Sequence, residues 1–70
     1  MTNDEILNKI KEGLLGKRSI SILNLEILIN NPTAIPEHIN YYDEIDKLIG
    51  QVAEIDDKLK VVDSMIKGDV

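Results

Sequence analysis

Seventy residues with a net charge of −5 allow one small domain, in which the core is a modest share of the whole. Cysteine is absent and His38 is the single histidine, which excludes disulfides and thiolate zinc sites and leaves no histidine cluster to hold a transition metal. Twelve Ile and eight Leu without any Phe or Trp suit interlocking aliphatic layers between helices, and oligomerisation is the remaining way to enlarge the core.

The charge is unevenly spread. Residues 1–31 balance Asp4, Glu5, Glu12 and Glu26 against Lys9, Lys11, Lys17 and Arg18, whereas residues 32–70 carry nine acids against four bases. An acidic C-terminal half repels phosphates, so Lys9, Lys11, Lys17 and Arg18 are the one group able to bind nucleic acid. This is the alternative reading; lysines solvated beside their own acidic neighbours are the simpler one. The polar start and the lack of an apolar run near the roughly 18 residues of a membrane span lead us to expect a soluble, cytoplasmic protein with no membrane partner.

In chain order, Thr2 or Asn3 can cap a first helix, with Asp4 and Glu5 in its first turn. Ile6, Ile10 and Leu14, with Leu7 and Leu15 beside them, form its expected apolar face. Gly13 and Gly16 each weaken it by about 1 kcal/mol, so the helix either breaks near Gly16 or runs through a soft point. From Ser19 to Asn30 the pattern is ambiguous. Ile20 and Ile22, then Leu25, Ile27 and Ile29, alternate with other residues as in a strand, but no second strand-like run exists to pair with. Read as helix, the segment places Ile22, Leu25 and Ile29 on one stripe and Ile20, Leu23 and Ile27 on the next. That surface is wider than one partner helix can cover.

Pro32 and Pro36 mark residues 31–40 as a turn, in which Ile35 and Ile39 can tuck over the end of the hairpin and Asn40 can cap the next helix with Asp43 at its third position. The last helix, residues 41–67, is the clearest element. Tyr41, Ile45, Leu48, Val52, Ile55, Leu59, Val62 and Ile66 follow at alternating spacings of four and three, an uninterrupted heptad seam. Gly68 stands where a C-terminal cap is expected.

The expected architecture is therefore all-α and single-domain: helical residues 3–30, turn 31–40 and helix 41–67. This hairpin would pair into a dimeric four-helix bundle, with a three-helix monomer as the alternative. Few residues suggest chemistry. His38 beside Glu37 could titrate as a pH-sensitive latch or act as a general base, against the simpler reading of a solvent-facing turn histidine. Glu54 and Asp57 share a helix face, but one such pair lacks the matching pair on a second helix that a metal-dependent site needs. Arg18 is the single arginine, too few for a clamp on phosphate or carboxylate within one chain. We expect no catalytic residue, cofactor or metal. Glu37, His38 and Tyr42 are the candidate contact residues for another protein.

The run Leu25-Glu26-Ile27-Leu28-Ile29-Asn30-Asn31-Pro32-Thr33-Ala34-Ile35-Pro36-Glu37-His38, followed by a seam ending Ile55-Asp56-Asp57-Lys58-Leu59-Lys60-Val61-Val62, resembles a group of small helix-loop-helix phage proteins. It includes the short protein encoded beside the recombination helicase UvsW in T-even phages. The resemblance covers about residues 20–66 and implies a non-catalytic accessory protein of phage DNA replication or recombination, with no chemistry to carry over residue by residue.

Overall fold

Thr2 starts the first helix by accepting, on its Oγ1, a hydrogen bond of 3.1 Å from the Glu5 backbone N–H, and Asp4 and Glu5 lie in the first turn beside the positive helix end. This computed structural model describes residues 1–31 and 40–68. Helix α1 runs from Asn3 to Asn30 and α2 from Tyr41 to Lys67. The two lie side by side as an antiparallel hairpin, 48 by 19 by 14 Å, and the described residues include no strand.

Residues 19–30 belong to α1, and α1 passes through Gly13 and Gly16 without a break. Helical geometry satisfies each backbone group within the segment, which a strand without a neighbour cannot do. The single-helix alternative for residues 3–30 therefore holds, and the two helices pack as a hairpin. At its end the Asn31 backbone N–H donates to the Ile27 carbonyl at 3.0 Å, and the Asn31 side chain adds a second bond to the same oxygen at 3.2 Å. The other end of the hairpin is closed by Gly68, whose φ of 79° only glycine adopts readily. One detail differs from expectation. Asn40 makes no side-chain capping bond to α2, because its backbone already lies in the right-handed helical region instead of the extended one that aims a capping side chain.

All eight predicted seam residues of α2 are buried or half-buried. Ile55 and Val62 are the buried ones, and with Leu14 of α1 they form the core, flanked by Leu7, Leu59 and Ile66. Toward the connection, Tyr41 holds the helices together differently: its phenol O–H donates to the Leu28 carbonyl at 3.0 Å, with the Ile29 carbonyl at 3.4 Å. Those carbonyls lie in the last turn of α1, where no helical N–H reaches them.

On α1 the inward stripe is not the expected one. Leu7, Lys11, Leu14, Arg18, Ser21, Leu25 and Leu28 are buried or half-buried at spacings of four and three, while Ile6, Ile10 and Leu15 are exposed. The helix is rotated relative to a reading by hydropathy because Lys11 and Arg18 lay their aliphatic stems along the seam and send only their charged heads to its edge. The wide apolar surface expected of residues 20–29 is present. Ile20, Leu23, Ile27 and Ile29 are each at least half exposed.

Candidate interaction surface

The two cations of the α1 seam each meet an acid on the edge of α2. Lys11 Nζ lies 2.8 Å from Asp63 Oδ1. Arg18 forms a fork on Asp56, Nε to Oδ1 at 2.6 Å and Nη2 to Oδ2 at 3.4 Å. Residues 11 and 18 are one heptad apart, as are 56 and 63, so the pairs repeat along the antiparallel helices and both form in one register only. A slip of one heptad keeps at most one of them. Their contribution is to alignment more than to stability, since all four side chains stay more than a third exposed and are screened by water.

The hydrogen bond from Arg18 holds the Asp56 carboxyl below its ordinary 3.8, with the charges of Arg18 and Lys60 acting in the same direction against partial desolvation. The same hydrogen bond raises Arg18 above its already high value, so it remains charged throughout. As pH falls, the unfolded chain therefore takes up the Asp56 proton before the folded one does. The stabilisation is complete above the ordinary aspartate value and is lost as pH drops through the lower folded value. Melting temperature should thus fall less steeply from about pH 5 to pH 2 in Asp56→Asn than in the wild type. Parallel curves would show that the pair adds nothing.

The four cations considered for nucleic acid are not gathered on one face. Lys11 and Arg18 sit in the seam with their acids; Lys9 points outward and lies 3.6 Å from Glu12. Among the described residues Lys17 alone of the four has no ion partner, and it lies on the flank of the seam. Of the two acids considered for a metal, Glu54 lies 3.1 Å from Lys58, its neighbour one turn on. No group of three potential metal-binding side chains occurs among the described residues. Glu37 and His38 lie outside the described residues. Tyr42 is 77% exposed, its ring set edge-on to that of Tyr41 with centroids 5.6 Å apart.

Two open grooves run between the helices, one on each flank of the seam, and they differ in character. One is lined mostly by polar residues, among them Lys17, Asn24, Gln51 and Glu54. Toward the free ends of the helices this flank becomes apolar, with Ile6, Ile10, Val61 and Met65 exposed. The opposite groove, near the connection, is lined by Ile22, Leu25, Ile29, Ile49, Val52 and Ala53. No known protein family, curated protein or solved structure matches this chain. No helix among the described residues is long and apolar enough to cross a membrane.

The sequence reading missed the groove residues Ile49 and Ala53 and the seam acids Asp56 and Asp63. A signal for the acids was present: Leu7, Leu14, Ser21 and Leu28 repeat every seven residues, and the cations at 11 and 18 fall within that repeat. Cations inside a seam call for anions at its edge on the facing helix.

Proposed function

We propose that this chain is a non-catalytic interaction module, a helical hairpin that pairs with a second copy into a four-helix bundle and offers its remaining helix surface to another protein. One observation carries the reading. Among the described residues only Leu14, Ile55 and Val62 are buried apolar ones, while twelve large apolar side chains stay 42% or more exposed, and most of them lie along helix flanks where another helix would cover them. For self-pairing the better flank holds Ile6, Ile10, Ile20 and Ile27 of α1, which share a stripe interrupted by one charge, Lys17. Facing it on α2 are Val61 and Met65 and a balanced mixture of acids and bases, so two copies can meet there without net repulsion.

The resemblance to small phage proteins suggests the host cytoplasm and phage DNA replication or recombination as the setting. Direct nucleic-acid binding through Lys9, Lys11, Lys17 and Arg18 has less support, because three of the four charges already have acidic neighbours. Light scattering on a size-exclusion column at several concentrations tests the pairing. The expected mass is twice 7.9 kDa, reduced by Ile10→Glu. A mass of 7.9 kDa at every concentration would rule out the bundle.

A further inference from the structure

The apolar groove near the connection has walls of one charge sign. On α1 its wall is the stripe Ile22, Glu26 and Ile29, and on α2 it is Ile49, Ala53 and Asp56; spacings of three and four carry the α2 stripe on to Asp46 and Tyr42. Neither stripe contains a lysine or arginine. Asp56 is held by Arg18, which leaves Glu26 and Asp46 as acids with no cation paired to them among the described residues. Ile29 and Ile49 are half exposed on opposite walls of the groove, and the seven-residue step from Ile22 to Ile29 gives it a length of roughly 10 Å, about two helical turns. Tyr42 extends the α2 stripe by two further turns with the more exposed of the two tyrosine rings.

We propose that this groove binds an amphipathic helix of another protein, one whose apolar edge is flanked by lysine or arginine. A helix laid between two others inserts side chains at spacings of three and four, which matches the Ile and Ala positions on both walls. Its flanking cations then meet Glu26 and Asp46, and Tyr42 packs on its end. A second copy of this chain fits badly, since a two-fold contact would set an acidic rim against itself. The inference deepens the interaction-module reading by naming the partner's chemistry, and it does not depend on dimerisation through the other flank.

The probe is a stapled peptide of about 18 residues, long enough to hold a helix, with leucines at three-four spacing flanked by lysines; its counterpart carries glutamates instead. Titrated into the full chain labelled with 15N, the basic peptide should shift the amides of Ile22, Ile29, Ile49 and Ala53, and the acidic one should not. Ile49→Glu should weaken binding about tenfold or more, as should the pair Glu26→Lys and Asp46→Lys, which should in turn admit the acidic peptide. Met65→Glu, on the other flank, should leave peptide binding unchanged. The inference is overturned if both peptides bind alike, if the shifts map elsewhere, or if millimolar peptide has no effect. It is also overturned if Ile49→Glu halves the molar mass, which would make the groove a contact between copies. A monomeric mass with the expected shifts would remove the bundle and keep the groove.

Discussion

Ile55→Ala should destabilise the hairpin by about 2–3 kcal/mol, visible as a large drop in the thermal midpoint followed by circular dichroism. Ile55 is 8% exposed and stands in the centre of the three-residue core with Leu14 and Val62, so removing its branches both forfeits burial and leaves a gap that two rigid helices cannot close. A chain of this length has a total stability on the order of 4–10 kcal/mol, which makes the loss a large share of it. Leu14→Ala should behave alike. Leu23→Ala, at a side chain 55% exposed on the far side of α1, should change stability by no more than about 0.5 kcal/mol. Equal losses at Leu23 and Ile55 would mean that the helices meet through a different stripe.

The opposite change is expected at two glycines. Gly16 and Gly50 lie inside continuous helices, are exposed, and have nothing within 4 Å of the position that a Cβ would take. Alanine there restricts the unfolded chain without crowding the folded one, so each substitution should stabilise by about 0.5–1 kcal/mol. Together, Gly16→Ala and Gly50→Ala should raise the melting temperature by roughly 5–10 °C. Stabilisation should leave the molar mass unchanged, since neither position belongs to the stripe of Ile6, Ile10, Ile20 and Ile27 or to that of Val61 and Met65. A loss of stability would show that some neighbour approaches these backbones closely in the assembled protein.

The α2 seam was legible in full because its heptad is purely apolar apart from the Tyr41 hydroxyl, and pattern and packing coincide. The caps at Thr2 and Gly68 were legible as well, since they depend on one side chain or one φ value acting within a turn. The α1 seam was not. Its apolar residues outnumber the places facing α2, so hydropathy permits several rotations of the helix, and the one adopted sends Ile6, Ile10 and Leu15 outward while Lys11, Arg18 and Ser21 turn inward. Of the contact candidates, Tyr42 is exposed, and Glu37 and His38 fall outside the described residues.

By itself the sequence determined where the second helix runs and that the apolar surface exceeds what one hairpin can cover, because periodicity and capping are local properties of the chain. Only the tertiary structure decided which face of α1 meets α2. That choice depends on acids at 56 and 63 arriving opposite cations at 11 and 18, a coincidence across 38 residues and more that no local pattern encodes. The same choice leaves two unlike flanks, one with mixed charge and one with an acidic rim, and so separates the flank proposed for self-pairing from the groove proposed for a basic helix.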